Sequence, residues 1–350
     1  MDTNMQQYGY SDRFAALAAM HPELEPGRIL SQEKGFFRLV TRQGEKLAEI
    51  SGRFRHQAAV ASDYPAVGDF VMADWNEAGG NAVIHHVLAR RSCFTRKAAG
   101  VSREEQVVAA NIDTVFLCMS LNNDYSLRRL ERYLSIAWDS GASPVIVLTK
   151  ADLCADLPAR LEEIGAVAVG VDVLVTSALA EEGVSQLLPF LRPGRTVAFI
   201  GSSGVGKSTL INRLLGEERQ DTQGLRNDDK GRHTTTRREL LLLPCGAMVI
   251  DTPGMREMGM WDNAAGVEHT FAEIEELAGH CRFSDCTHQS EPGCAIQRAL
   301  RQGDISPERW QAYQKLLAES AYAADSDSYL LAKEKKFKNI AMFSRRNRKR

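Results

Sequence analysis

No run in this chain is long and apolar enough to cross a bilayer. The longest apolar stretch, "LLLLPCGAMVI" from Leu240 to Ile250, falls short of the roughly 20 residues a spanning helix needs, and Pro244 and Gly246 interrupt it. No secretory signal is visible, so none is expected: the opening "MDTNMQQYGYSDRF" carries Asp2 and has no basic start followed by an apolar core. An even set of cysteines is absent too. The 7 cysteines are dispersed except for three crowded between Cys281 and Cys294, which argues for reduced thiols and a metal rather than disulfides. These absences set the expectation of a cytoplasmic protein with no membrane association.

What is present is ordinary soluble composition, 44% hydrophobic and 25% charged over 350 residues, enough for two or three domains. The charge is not evenly spread. From Lys333 to Arg350 nine basic residues face one acid, Glu334, a local +8 within a net charge of −2, so residues 1–332 sum to about −10. With Phe337 and Phe343 interleaved, this tail suits a nucleic-acid backbone; a solvated terminus is the plainer alternative.

Three regions separate on pattern. Residues 27–92 hold short β-like runs cut by turns, "GFFRLVT", "KLAEISGRF", "VGDFVMADW" and "NAVIHHVLA". This suits a small closed barrel such as an OB-fold, which serves equally as an RNA platform or as a spacer. From 106 to 262 apolar strands alternate with helical patterns, which predicts a mostly parallel sheet. "SLRRLERYLSIAWDSG" places Leu127, Leu130, Tyr133, Leu134 and Ala137 on one helical face before Gly141 stops it. The polar loops after such strands are where ligands bind.

One of those loops, "GSSGVGKST" (Gly201, Ser202, Ser203, Gly204, Val205, Gly206, Lys207, Ser208, Thr209), fits G-x-x-x-x-G-K-[ST] between a strand and a helix. Its glycines allow backbone N–H groups to curl around a β-phosphate at a helix N-terminus. Lys207 is then placed to reach the β- and γ-phosphates and Ser208 to ligate Mg²⁺. "DTPG" closes a later strand, with Asp251 available to hold Mg²⁺ through water and the Gly254 amide to meet a γ-phosphate. Upstream, "TKAD" (Thr149, Lys150, Ala151, Asp152) offers in Asp152 a carboxylate that accepts guanine N1–H and N2–H together, a donor pair adenine lacks. Lys150 would lay its stem over the ring, and "TSA", with Ser177 and Ala178, fits the partner loop that meets O6. Asp152 therefore argues against an ATPase. The base reader precedes the phosphate loop, so the chain reads as a circularly permuted GTPase. Between Thr209 and Asp251, "DDKGRHTTTRREL" occupies the place of a switch, with one of Thr234, Thr235 or Thr236 reaching Mg²⁺. Many GTPases carry a water-orienting glutamine after the glycine of the second switch; Met255 stands there instead. Slow intrinsic hydrolysis follows, with the missing group supplied by His233, by Arg256 or by a partner.

Downstream, "CRFSDCTHQSEPGC" supplies Cys281, Cys286, His288 and Cys294, a set suited to a closed, structural Cys₃His zinc site. With this the chain resembles the RsgA (YjeQ) family of ribosome small-subunit-dependent GTPases. The likeness runs over nearly the whole length, through the barrel, "TKAD" before "GSSGVGKST" before "DTPG", the "GRHTTT" switch and the zinc segment with "EPGC". It implies an α/β fold with three parts: an N-terminal segment and OB-fold β-barrel (1–105), a circularly permuted P-loop GTPase domain (106–265), and a zinc-binding helical domain with a basic tail (266–350). It further implies a monomer that uses GTP/GDP, Mg²⁺ and one Zn²⁺, binds the small ribosomal subunit and its rRNA late in maturation, and is stimulated there. Thr149 stands where many members have asparagine, which removes a bracing amide, and no basic arm precedes the barrel. The competing reading is an RNA-binding assembly factor in which GTP is a structural ligand with negligible turnover.

Overall fold

Short apolar runs between turns form the strands β1 (Glu25–Glu33), β2 (Phe36–Thr41), β3 (Gly44–Ile50), β4 (Phe70–Asp74) and β5 (Ala82–Val87). Their order is β1-β2-β3-β5-β4, and β4 returns to pair with β1, so the sheet closes into a barrel. Only the β3–β5 pairing is parallel, the arrangement of an OB-fold. Ile29, Leu39, Ala48, Val71 and Ile84 fill the interior. Helix α1 (Asp12–Ala18) packs Phe14 against Phe70, and α2 (Gly52–Gln57) starts at Ser51, whose hydroxyl accepts from the Phe54 N–H at 3.0 Å.

This computed structural model describes residues 4–33, 35–76, 79–97, 105–177, 181–216, 238–251, 264–289 and 291–324. The chain divides into two compact units, Met1–Gly259 and Met260–Arg350.

After the barrel, β6 (Cys93–Lys97) and β7 (Glu105–Ala110) pair antiparallel. The alternation expected from the sequence then follows: β8 (Thr114–Ser120), α3 (Leu127–Ser140), β9 (Ser143–Thr149), α4 (Leu157–Val167), β10 (Asp172–Val175), β11 (Thr196–Ile200), α5 (Lys207–Leu215), β12 (Arg238–Leu242) and β13 (Met248–Asp251). The strand order is β10-β9-β8-β11-β13-β12, with β12 antiparallel to β13. Leu130, Tyr133, Leu134 and Ala137 are the buried stripe of α3, and Gly141 ends it in the left-handed region at φ 79°. Phe116, Val147, Phe199 and Val249 from the strands pack with Leu210 of α5 and with Leu187 of a 3₁₀ helix, Glu181–Phe190.

The barrel and this sheet are hydrogen-bonded into one. β12 pairs antiparallel with β1, Ser31 opposite Glu239 and Gln32 opposite Arg238, and Arg38 on β2 reaches the Glu239 carboxylate. Beneath this seam Arg28 of β1 is buried, donating to Thr196 Oγ1 at 2.8 Å and to the carbonyls of Gly68, Tyr8 and Asn111. Burial lowers its pKa to about 10 against the pull of Asp113, so it stays protonated at neutral pH. Arg28→Leu would strand several buried acceptors at once; we expect a loss of about 3 kcal/mol or more, read by calorimetry as a fall in Tm.

The second unit holds α6 (Ala264–Thr270), α7 (Ala272–Gly279), α8 (Ala295–Gln302) and α9 (Pro307–Ala324). Phe271, Ile274, Trp310 and Tyr313 are its buried anchors, with the Arg309 guanidinium 4.0 Å over the Phe271 ring. No described helix is long and apolar enough to cross a membrane.

Candidate functional site

Parallel registration brings the strand ends to one side of the sheet. Ser120 of β8 lies opposite Thr149 of β9, Leu148 opposite Val175 of β10, and Ala198 of β11 opposite Ile250 of β13. The loops that follow β8, β9, β10 and β11 therefore converge.

The 201–206 turn depends on glycine at two places. A Cβ on Gly201 would sit 2.6 Å from the Cys118 carbonyl oxygen, and Gly206, capping α5, adopts φ 109°. Lys207 is buried, and its ammonium donates to the Gly201 and Ser202 carbonyls, each at 2.6 Å, so it is held across the loop. Ser203 and Gly204 are exposed, Val205 is buried, and Ser208 and Thr209 are half-buried on the first turn of α5. Asp251 is half-buried at the end of β13.

The base-reading loop is tied to this turn by Thr149. Its hydroxyl donates to the Val205 carbonyl at 2.6 Å, so a hydroxyl takes over the brace that loss of an asparagine amide had been expected to remove. Lys150 adopts φ 57° in the left-handed region, turning the chain sharply after β9. The next loop docks alongside: Ala151 N–H donates to the Thr176 carbonyl at 3.2 Å, and Ser177 Oγ donates to Asp152 Oδ1 at 2.5 Å. Lys150, Ala151, Asp152 and Ser177 are thus assembled on the same side as residues 201–209. Ala178, His233, Thr234, Thr235, Thr236, Gly254, Met255 and Arg256 lie outside the described residues.

A further loop, between β8 and α3, was not singled out from sequence. Asp124 accepts from the Ser202 hydroxyl at 2.6 Å and from Arg129 Nη1 at 2.9 Å. The Arg129 and Ser202 hydrogen bonds pull the Asp124 carboxyl below its usual range. Asn122 caps the same loop, accepting from Ser120 Oγ and the Asp124 N–H. The available signal was position alone, a polar "NND" after an apolar strand.

In the second unit Cys281, Cys286, His288 and Cys294 bring their ligand atoms within 4.8 Å of one another. Tetrahedral zinc, with bonds of about 2.3 Å to sulfur and 2.0–2.1 Å to nitrogen, requires S–S edges of about 3.8 Å and S–N edges of about 3.6 Å. Cys281 Sγ stands 3.9 Å from Cys294 Sγ and 3.5 Å from His288 Nδ1, and Cys294 Sγ is 3.6 Å from that nitrogen. The donor set fits zinc. Cys294 caps α8, accepting from the Gln297 N–H, and the Ala295 N–H points to Cys281 Sγ at 3.4 Å. Desolvation opposes the Cys281 thiolate, but the Ala295 and Ile296 amides together with hydrogen bonds from Cys286 and Cys294 outweigh it, and the pKa is lowered. Glu291 braces the intervening loop by accepting from the N–H groups of Thr287 and Gln289.

A glycine-rich turn between a strand and a helix, a carboxylate in the loop after a strand that comes earlier in the chain, and a sheet of this order are the arrangement of a circularly permuted GTPase. The family model described as RsgA GTPase matches residues 87–261. Small ribosomal subunit biogenesis GTPase RsgA 2 of Lactiplantibacillus plantarum is 48% identical over 92% of this chain and 91% of its own length. Small ribosomal subunit biogenesis GTPase RsgA of Opitutus terrae is 46% identical over 94% and 93%. Among solved structures, YjeQ from Thermotoga maritima superposes with a TM-score of 0.62 at 27% identity, covering 85% of this chain and 98% of its own. YloQ, a circularly permuted GTPase, shares the fold with a TM-score of 0.59 at 22% identity, over 85% of this chain and 95% of its own. The chain belongs to the RsgA GTPase family and is a GTP-hydrolysing enzyme.

Proposed function

We propose that this GTPase binds the small ribosomal subunit and its rRNA and acts late in subunit maturation, hydrolysing GTP to GDP and phosphate with stimulation by the subunit. The observation that carries the reading is the convergence of Asp152, Thr149 and the 201–209 turn on one side of the sheet, joined to the names of relatives alike over nearly their whole length.

On this reading Gly201 to Thr209 cradle the phosphates, Lys207 swings from its two carbonyls to the β- and γ-oxygens, and Ser208 ligates Mg²⁺. Asp251 and one of Thr234 to Thr236, with Thr235 preferred, would help to hold that ion, and the Gly254 amide would meet the γ-phosphate. Asp152 reads guanine, with Lys150, Ala151, Ser177 and Ala178 around the base. His233, Arg256 or the partner supplies the catalytic group that Met255 cannot. The cysteines and His288 hold one structural Zn²⁺. Residues 1–105 form the barrel part, 106–265 the GTPase domain and 266–350 the zinc domain with its basic tail, in a monomer acting in the cytoplasm.

The seam described above supplies a route for stimulation. β12 takes up the end of the "DDKGRHTTTRREL" segment and leads through β13 to Asp251, while its other side is bonded to the barrel. An RNA contact that shifts the barrel would act on the strand between both switches. GTP hydrolysis is measured at fixed enzyme with and without purified small subunits, with ATP as control. A large, GTP-selective stimulation is expected; its absence would return the partner to unknown while leaving the GTPase intact.

A further inference from the structure

The nucleotide loops occupy one end of the parallel sheet. At the opposite end, where β8, β9 and β11 begin, a crevice of about 470 Å³ is lined by Arg91, Arg192, Arg195 and Phe190, and Asp113 is the acid in its lining. The Asp113 carboxylate is nearly buried and heavily used. Its Oδ1 accepts from Arg91 and, at 2.6 Å, from Arg195, while Oδ2 accepts from the Thr196 N–H at 2.8 Å. One carboxylate therefore fixes two guanidiniums side by side, and their side chains remain 40% and 55% exposed.

Neutralising Asp113 requires one arginine, so the second is surplus, and Arg192, whose Nε donates to the Pro189 carbonyl, adds another. The C-terminus of α3 at Gly141 also faces this crevice. Its dipole contributes about half a negative charge, confined to the last turn, and does not cancel two cations. Arginine forks match phosphate oxygens bidentately, and here two are already held in place, so little side-chain freedom remains to be lost on binding. Phe190, half-buried and edge-on to Phe116 at 6.0 Å, gives the crevice an apolar wall. A volume of 470 Å³ exceeds what one phosphate fills and admits a sugar or base beside it.

We propose that this crevice is an RNA-backbone site: Arg91 and Arg195 grip one phosphodiester, Arg192 engages the next, and a sugar or base packs on Phe190. The inference rests on the reading of an RNA-containing partner. It deepens that reading by assigning an RNA contact to the GTPase part itself, on the end of the sheet away from the nucleotide.

The test is the double variant Arg192→Gln/Arg195→Gln, which leaves Arg91 and the Thr196 N–H on Asp113. Affinity for purified small subunits and for their RNA stripped of protein is measured against salt concentration. Loss of one or two phosphate contacts lowers the slope of log affinity on log salt by about 1 to 2 and weakens low-salt binding roughly 10- to 100-fold. Unassisted GTP hydrolysis and Tm should not move. An unchanged slope would overturn the site, as would a loss seen with subunits but not with stripped RNA, which would assign the crevice to an acidic protein segment. Wild-type protein that binds stripped RNA but not subunits would sink the subunit reading alone, and the variant's slope on RNA would still decide the crevice.

Discussion

Asp152→Asn should lose GTP and gain xanthosine triphosphate. The carboxylate has two acceptor oxygens for the adjacent N1–H and N2–H donors of guanine; an asparagine keeps one acceptor and turns a donor toward N2–H. Two donors then face each other, and a buried polar mismatch of this kind costs about 3 to 4 kcal/mol, or roughly 10²- to 10³-fold in affinity. Xanthine carries a carbonyl at C2, which the new amide can satisfy while N1–H still finds the remaining oxygen. The fold should tolerate the change, because Asp152 is exposed and its partner, the Ser177 hydroxyl, can bond an amide oxygen as well. Calorimetric titration with GDP and xanthosine diphosphate is the measurement. Retention of full GDP affinity would remove Asp152 from the base site and with it the permuted reading of the site.

Removing the metal should disable the second unit. Three thiols and an imidazole lie within 4.8 Å of one another; as zinc ligands the thiols would be thiolates that repel once the cation leaves, and structural zinc contributes roughly 10–16 kcal/mol to small domains built around it. Cys286→Ser or a strong chelator should therefore release one zinc per chain, quantified by elemental analysis. It should also change the emission of Trp310, whose ring stands edge-on to His288 at 5.8 Å. Acid should do the same as a chelator, since protons compete for every ligand and metal affinity falls with pH. Purified protein with no zinc and an unaltered Trp310 signal would show that the cluster holds itself together by other means.

The phosphate turn and the cysteine–histidine cluster are each written in one short peptide whose residue types admit few other uses. The phosphate turn needs glycine where a Cβ would strike Cys118, and the zinc segment spaces its ligands across a Pro-Gly turn. The β8–α3 loop was not legible. Asp124 meets Ser202 across 78 positions of chain only because β8 and β11 are neighbours, and no local spacing encodes that. Thr149 shows a different limit: sequence comparison registered a missing amide, whereas the function of the brace needs only a donor within reach of Val205. The bonding of β1 to β12 escaped for a third reason. It is made by backbone groups, which every residue carries, so side-chain patterning is nearly silent about it.

That bonding also determines how the protein could be divided. A barrel joined only by a linker could be cut away to leave a self-sufficient enzyme. Here excision would strip β12 of its neighbour and leave unpaired the backbone groups of Arg238 and Glu239 that now face β1. Such a margin recruits other chains. The barrel therefore doubles as a guard against aggregation of the catalytic part, and the two are better regarded as one inseparable cassette than as modules free to be exchanged.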